Sequence, residues 1–201
     1  MDESILAVEA KNGNLEAFNR LILIYQDMAY NVAFRILSDS DAAEDATQIS
    51  FISAYKHIKS YRGGSFKAWL LRIVTNNCYD ELRRQKRHPT TPLEPLNDEE
   101  EVESAKWMAD KNPLPETQIE ESDLETAIQN CIDHLPEDFK VVVVLVELEG
   151  LDYKEVAETV RKPLGTIKSR LARARLRLQK CLQQFRELLP PKFRLDNEES
   201  L

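Results

Sequence analysis

Arginine, serine and threonine recur at helical spacing between residues 163 and 182, opposite an apolar stripe of the same stretch. At 100° per residue, the apolar arc consists of Leu164, Ile167, Leu171, Ala174, Leu178 and Leu182. The opposite side carries Thr166, Ser169, Arg170, Arg173, Arg177 and Lys180. Arginine can pair with guanine edges and phosphates, and serine and threonine can bond to either. Such a helix is suited to the major groove of DNA.

A second, shorter helix precedes this one and completes the layout of a helix-turn-helix. It is predicted from Tyr153 to Val160, with apolar side chains at Val156 and Ala157, and a tight connection follows it. A basic face alone would also suit the solvated side of an ordinary bundle, and the preceding helix and turn favour DNA binding. We predict DNA contacts from Thr166, Lys168, Ser169, Arg170, Arg173 and Arg177.

Charge is distributed unevenly along the chain, whose net charge is −8. Residues 91–121 hold ten Asp and Glu against two Lys and Arg, which accounts for that excess. Residues 56–87, in contrast, hold nine basic side chains and only Asp80 and Glu81 as acids. Because basic clusters attract phosphate, the pattern predicts two nucleic-acid-binding parts joined by an acidic segment.

Composition excludes several classes of protein. No apolar run approaches the roughly 20 residues needed to span a bilayer, and the acidic N-terminus is unlike a secretory signal. The three cysteines are scattered, so we predict a reducing cytoplasm, no disulfide framework and no zinc site. His57, His88 and His134 are dispersed, and no phosphate loop or nucleophile motif occurs. We expect no membrane insertion, no metal, no cofactor and no enzymatic activity.

The elements that must position these side chains are helices, because glycine is scarce and helix formers abound. We predict an all-α protein with two small helical domains, an N-terminal bundle and a C-terminal four-helix domain. The predicted helices cover 10–37 (one helix or a pair), 42–58, 66–87, 122–134, 136–148, 152–160 and 163–187, with a loop at 60–65. The predicted units are 1–89, an acidic proline-containing linker 90–121, 122–189 and a tail 190–201.

Two segments of the second domain resemble extracytoplasmic-function sigma factors of bacterial RNA polymerase. They read GLDYKEVA at 150–157 and PLGTIKSRLARAR at 163–175. The resemblance implies that the helix-turn-helix reads the promoter −35 element. It also implies a contact with the flap of the second-largest polymerase subunit.

The first domain resembles the same family independently. The segment AEDATQISF at 43–51 is similar to the helix that, in the family, docks on the clamp coiled coil of the largest polymerase subunit. Asp45, Gln48 and Ile52 fall on neighbouring turns, so they can present one mixed stripe to a basic partner helix. The resemblance implies core-polymerase contacts from Asp45, Gln48, Ile49 and Ile52. A plain solvated face is the alternative, and Phe51 is expected in the core.

A third segment, FKAWLLRIVTNN at 66–77, resembles the promoter-melting and −10-reading part of the family. A base flipped out of the duplex needs stacking surfaces, hydrogen bonds to its edge and cations near the phosphates. The resemblance implies that loop 60–65 captures such a base. The implied contacts are Tyr61, Arg62, Ser65, Lys67, Arg72, Asn76, Asn77, Asp80, Arg83 and Arg84. Phe66 and Trp69 favour core packing over stacking.

Taken together, the resemblance implies an alternative sigma factor that binds core RNA polymerase and promoter DNA in the cytoplasm, with an anti-sigma factor as a further partner. No third helical domain is expected between the two blocks, and no autoinhibitory extension before residue 1. A conventional helix-turn-helix regulator is the alternative function, and it leaves the helix around Asp45 and Gln48 unexplained. For the acidic linker two interpretations stay open: a spacer, or an acidic strand that threads the basic cleft and RNA exit channel of the polymerase.

Overall fold

The computed structural model describes residues 3–87 and 115–190, and within these ranges it contains helices and no strand. The helices of the first domain are α1 (Glu3–Lys11), α2 (Leu15–Leu37), α3 (Ser40–His57), a 3-10 turn (Ile58–Ser60) and α4 (Phe66–Arg87). Those of the second are α5 (Pro115–Asp133), α6 (Glu137–Val143), a π turn (Val144–Leu148), α7 (Tyr153–Val160), α8 (Leu164–Leu182) and a 3-10 turn (Gln183–Phe185). The predicted all-α class is confirmed.

The predicted helical region 10–37 contains the last two residues of α1, a turn and the whole of α2. The chain turns at Gly13, whose φ of 95° favours glycine, and the side chain of Asn14 caps α2 by accepting a hydrogen bond from the N–H of Ala17 at 3.1 Å. At its other end, α2 stops at Ser38 in the left-handed conformation, with a φ of 60°. Asp39 then caps α3 through the N–H of Ala42 at 2.7 Å. Short polar residues at both ends thus fix the break between α2 and α3.

The first helix of the second domain starts earlier than the sequence indicates. Helix α5 begins at Pro115, ahead of the predicted start at 122, because a proline in the first turn lacks only an N–H that would have no partner there. The run from Val141 to Val146 has high strand propensity, yet it is helical, as the predicted helix over 136–148 requires. The helix widens into a π turn from Val144. Val141, Val142 and Leu145 are fully buried, so burial outweighs their strand propensity. The remainder of the predicted linker and the tail from 191 lie outside the described residues.

A disulfide links Cys131 on α5 to Cys181 near the end of α8, and the prediction of no disulfide was wrong. The two cysteines lie 50 positions apart in the sequence. Helices α5 and α8 pack against each other and bring their Cα atoms to 5.7 Å, a separation that a disulfide bridges. The third cysteine, Cys78, is buried within α4 with a free thiol.

The two domains pack on each other around a continuous apolar core. It runs from Leu6, Phe18 and Leu70 in the first domain to Leu145 and Ile167 in the second. The principal contact across the boundary is that of α4 with α7, and α2 also meets α5 and α6. Within the described residues, no helix is long and apolar enough to cross a membrane.

Candidate nucleic-acid interface

Helix α7 and the turn after it are fixed by hydrogen bonds at both ends. The side chain of Asp152 accepts from the N–H groups of Lys154 at 2.7 Å and Glu155 at 2.8 Å, and Glu155 accepts in return from the N–H of Asp152 at 3.0 Å. At the other end Arg161 adopts a left-handed φ of 53°, and its N–H bonds to the carbonyl of Ala157. This turn sets the entry of the chain into α8.

Helix α8 presents one side to the core and the other to solvent. Ile167, Leu171 and Ala174 are buried, as the sequence projection predicts. Leu164, placed on the same apolar arc by the projection, lies at its edge and is 37% exposed. The apolar contacts of α8 with α6 and α7 thus hold the polar side outward.

The exposed side of α8 carries part of the predicted DNA-reading set. Lys168, Ser169 and Arg173 are exposed, and the Ser169 hydroxyl donates to the carbonyl of Thr166 at 3.0 Å. Thr166 itself is half-buried. A groove-reading helix needs side chains that protrude from it, and Lys168 and Arg173 meet this requirement.

Two predicted DNA-reading arginines contact α6, and of these Arg170 is half-buried whereas Arg177 is exposed. Arg170 has 17% of its side chain exposed and forms a charge-assisted hydrogen bond with Asp138. The guanidinium of Arg177 lies over the ring of Phe139, 5.3 Å from its centroid, in a cation–π contact. The polar stripe expected from the sequence is therefore split between an exposed face and a flank engaged by α6.

The projection from sequence missed the middle of the exposed face. Ala172 is exposed and Leu176 is 54% exposed, and both lie beside Arg173. Centring the projection on the buried positions Ile167 and Leu171 would have placed them opposite the core. On the other flank, Arg175 pairs with Glu147 at 2.6 Å. The face that can meet a groove is thus partly apolar.

In the first domain, Tyr61 closes the loop that leads into α4. Its hydroxyl donates to the carbonyl of Gly64 at 2.6 Å, and its ring is 5% exposed against Phe66 and Trp69. Burial raises the pKa of this phenol. Trp69 and Phe66 pack on the core as the sequence predicts. The Tyr61 ring is not available for stacking on a base in this arrangement of the loop.

The other residues of the predicted −10 set differ in how they are placed. Arg62, Ser65, Asn76, Asp80, Arg83 and Arg84 are exposed, whereas Lys67, Arg72 and Asn77 are half-buried. Asn77 donates to the hydroxyl of the buried Ser50 at 2.9 Å, which anchors α4 to α3. Lys67 points to the second domain, where it pairs with Glu149 at 3.2 Å.

Ion pairs along α4 order its exposed basic end. Arg83 pairs with Asp80 at 2.7 Å, one helical turn away. Arg84 donates two hydrogen bonds to Glu81, at 2.7 and 2.8 Å, which lowers the pKa of that carboxyl. Carboxylates thus hold the guanidinium groups in place without covering them, because Arg83 and Arg84 each keep 67% of the side chain exposed.

The third predicted set lies together on one face of α3. Asp45 and Gln48 are exposed, and Ile49 and Ile52 are 52% and 54% exposed. Tyr55, which the sequence analysis left out, extends this face with 52% exposure. Phe51, at the edge of this face, is half-buried and packs on the core, as predicted. An acid, an amide and three large apolar groups open to solvent are suited to a protein partner.

Comparison with known proteins assigns both halves of this arrangement. The family model for Sigma-70 region 2 matches residues 21–88, and that for Sigma-70, region 4 matches residues 125–178. The ECF RNA polymerase sigma-E factor of Haemophilus influenzae is 35% identical over 184 residues, covering 91% of this chain and 96% of that protein. The chain belongs to the extracytoplasmic-function sigma factors. It is an alternative sigma factor, which directs promoter-specific transcription.

Other members of the family are similar over nearly the whole chain. The RNA polymerase sigma-H factor of Pseudomonas aeruginosa is 33% identical, covering 89% of this chain and 92% of its own length. The ECF RNA polymerase sigma factor SigW of Bacillus subtilis is 34% identical, with 88% and 95% covered. Since the first domain matches a sigma-factor region, the alternative of a conventional helix-turn-helix regulator no longer applies.

Solved structures share the fold of this sigma factor. CnrH in complex with the cytosolic domain of CnrY aligns with a TM-score of 0.65 at 22% identity, covering 91% of this chain and 99% of that chain. RpoE from Bartonella quintana, in complex with the anti-sigma factor NepR, aligns with a TM-score of 0.64 at 25% identity, covering 84% and 98%. The arrangement of eight helices in the described residues is thus that of sigma factors with known structures.

Proposed function

We propose that the functional faces of this sigma factor divide the work of promoter recognition. The exposed side of α8 reads the −35 element, with Lys168, Ser169 and Arg173 nearest the groove and Thr166, Arg170 and Arg177 at its flank. Its geometry supports this, since a buried stripe holds the helix while basic and hydroxyl groups point outward. The observation that carries the proposal is the presence of this helix and the α3 face in one chain.

The α4 helix and the loop before it bind the opened −10 element. The exposed groups are Arg62, Ser65, Asn76, Asp80, Arg83 and Arg84, and Lys67, Arg72, Asn77 and Tyr61 become available when their present contacts are exchanged. Exposed guanidinium groups suit phosphates, and Asn76 suits a base edge. The sigma factor recognises and opens the promoter by binding alone, in the cytoplasm, without a cofactor or covalent chemistry. We propose that the units predicted from the sequence act together: the first domain at 1–89, the linker at 90–121 and the second domain at 122–189.

The α3 face docks on core RNA polymerase, at the clamp coiled coil of the largest subunit, while the second domain meets the flap of the second-largest subunit. Asp45 and Gln48 supply polar contacts. Ile49 and Ile52 are exposed to solvent and supply the apolar surface that docking buries. The related RpoE from Bartonella quintana forms a complex with the anti-sigma factor NepR. We propose an anti-sigma factor as a partner of this chain too.

The test combines assembly and transcription. Asp45→Arg with Gln48→Ala should weaken the capture of core polymerase, because a basic group replaces the acid on the docking face. The matched control, Glu16→Arg with Asn19→Ala, changes exposed positions of α2 by the same charge and should leave capture intact. Run-off transcription with core polymerase and a promoter library then measures promoter use. Unchanged capture by the α3 variant would refute the docking assignment.

A further inference from the structure

Helix α1 lies beside the loop at residues 60–65 that leads into α4. Its residues Leu6, Ala7 and Ala10 are buried in the core of the first domain. The helix packs on α2, and it also meets α4 and the 3-10 turn that precedes the loop. This packing places the charged side chains of α1 next to the loop.

The ammonium group of Lys11 holds the main chain of the loop near its start. It donates a hydrogen bond to the backbone carbonyl of Tyr61 at 2.7 Å, across 50 positions of the sequence, and the bond is partly buried. A charged donor forms a stronger hydrogen bond than a neutral one. Lys11 lies in the last turn of α1, where the helix dipole also favours a positive charge.

The other polar groups of Tyr61 form bonds within the loop and the turn before it. Its N–H donates to the carbonyl of Ile58 at 3.0 Å, and its hydroxyl donates to the carbonyl of Gly64 at 2.6 Å. These two bonds give the segment 58–64 its local shape. Of the three bonds named for Tyr61, the bond to Lys11 is the one that fixes this segment to another helix.

The ring of Tyr61 belongs to an aromatic cluster that α1 also contacts. The ring centroid lies 5.7 Å from that of Phe66 and 5.6 Å from that of Trp69, and Tyr25 of α2 lies 5.6 Å from Phe66. Burial and a hydrogen bond to Glu3 of α1 raise the pKa of Tyr25. Helix α1 therefore supports the loop at its main chain through Lys11 and at the cluster beneath it through Glu3.

The rest of the loop is open to solvent and closed off at its far end. Residues 62–65 are exposed, and Gly63 and Gly64 have φ angles of 91° and 89°, which favour glycine. The hydroxyl of Ser65 accepts from an N–H in the first turn of α4 at 3.0 Å and so caps that helix. The loop is thus held on one side by Lys11 and on the other by Ser65, with exposed backbone between them.

We propose that Lys11 is a positioning residue for base capture, which holds the main chain of Tyr61 so that loop 60–65 is in place before a −10 base leaves the stack. This role of Lys11 rests on the proposed function of the loop at the −10 element. A loop that is ordered in advance loses less conformational entropy when it binds. Because Lys11 binds the carbonyl and not the ring, the Tyr61 side chain can leave the aromatic cluster for a base while the loop keeps its place.

The test compares Lys11→Met, which removes the donor from a side chain of similar length, with Lys11→Arg, which keeps a charged donor. The control, Arg20→Met, removes the same charge from an exposed ion pair on α2. Each holoenzyme is titrated with a labelled single-stranded oligonucleotide that carries the −10 sequence of a promoter recovered from the run-off library. Each −10 base in turn is replaced by an abasic site, and fluorescence anisotropy measures the affinity lost with each base.

The captured base is the one whose removal costs the parent the most affinity. In Lys11→Met, the ratio of the affinities for the intact and the abasic oligonucleotide at that position should fall by up to about tenfold, the effect of one hydrogen bond to a charged group. Lys11→Arg and Arg20→Met should keep the ratio of the parent. A general loss of stability or of positive charge would weaken the binding of both oligonucleotides and leave their ratio unchanged.

Three results overturn the proposal: Lys11→Met keeps the ratio of the parent, Lys11→Arg loses as much as Lys11→Met, or Arg20→Met loses as much. If circular dichroism shows that Lys11→Met is unfolded, Lys11→Gln is judged by the same criteria. Failure of the proposed function is distinguished separately, since the parent holoenzyme would then bind every abasic oligonucleotide as tightly as the intact one. In that case, hydrogen exchange of the free chain decides whether Lys11 holds the loop. Lys11→Met should speed exchange in residues 58–65, and exchange equal to that of the parent would refute the role of Lys11.

Discussion

Arg170 and Arg173 lie three residues apart on α8 and have different surroundings. Arg173 is exposed, whereas Arg170 pairs with Asp138 on the flank toward α6. Under the proposed function, Arg173 reaches a base edge directly, whereas Arg170 first exchanges its carboxylate partner for DNA. A neighbouring helix thus gives two arginines of one helix different surroundings.

We expect Arg173→Ala to weaken the free energy of promoter binding by about 1–3 kcal/mol, the range for a lost base contact, and so to reduce promoter use. Arg170→Ala should also reduce promoter use, and in addition it should lower the melting temperature, because it leaves Asp138 without its guanidinium partner. Lys180→Ala, further from the N-terminal end of α8 that enters the groove, is the control and should do much less. Run-off transcription and thermal melts measure both effects. Equal losses of promoter use for all three would instead indicate nonspecific attraction to phosphate.

The single free cysteine of the described residues gives a prediction about reactivity. Burial raises the pKa of the Cys78 thiol to about 12, and the reactive species is the thiolate. At pH 8 the folded sigma factor should therefore resist iodoacetamide without reductant, while Cys131 and Cys181 are protected by their disulfide. Intact-mass spectrometry should show no adduct in native buffer and one adduct in urea. Rapid labelling of Cys78 in native buffer would contradict the placement of this side chain in the core.

At the residue scale, the sequence indicates which groups are basic and which face they share, and no more. Ile167 and Leu171 were correctly placed in the core because helical periodicity is a local property. The pairing of Arg170 with Asp138, 32 positions away, depends on how α6 crosses α8. Burial of the Tyr61 ring depends likewise on Phe66 and Trp69 in three dimensions.

At the scale of elements, local signals located most helix ends. The caps Asn14, Asp39 and Asp152 are short polar residues that satisfy free N–H groups, and their effect is confined to one turn. Helix α1, from Glu3, was only partly predicted, since it is short and owes its stability to packing on α2. The link between α5 and α8 was missed because cysteine spacing carries no information about which helices meet.

Loss of the disulfide between Cys131 and Cys181 should destabilise the second domain. Closing a loop of 50 residues restricts the unfolded chain, so its removal should lower the free energy of unfolding by about 2–4 kcal/mol. Urea denaturation with and without dithiothreitol measures this difference. Cys131→Ala with Cys181→Ala is the control, since reductant should not alter its stability. Equal midpoints for the parent chain in both buffers would show that the bond does not form or does not constrain the chain.

For the molecule as a whole, the sequence indicated two domains with basic stretches and an acidic segment between them, and it did not indicate how the domains meet. Lys67 and Glu149 are 82 positions apart, and Lys140 and Ser38 are 102 apart. No periodic pattern links such positions. The same contacts are energetically small one by one, since exposed pairs such as Lys86 with Glu137 contribute about 0–1 kcal/mol. The packing of the two domains therefore depends on the whole surface between them and not on any single ion pair.

The acidic segment also gives a prediction at this scale, and it rests on charge alone. Residues 91–121 hold ten acids against two basic groups, and duplex DNA would repel them. An acidic strand is suited instead to the basic cleft of the polymerase that receives the transcript. We expect replacement of Asp98, Glu99, Glu100, Glu101 and Glu103 by Ser and Gln, at constant length, to weaken holoenzyme assembly and reduce its salt dependence, because fewer counterions are exchanged. The yield of short abortive transcripts should change as well, since the segment would no longer compete with nascent RNA. The control exchanges Asp for Glu and Glu for Asp at the same five positions, which preserves every charge. Assembly, salt dependence and abortive yield that all match the control would show that the segment only tethers the two domains.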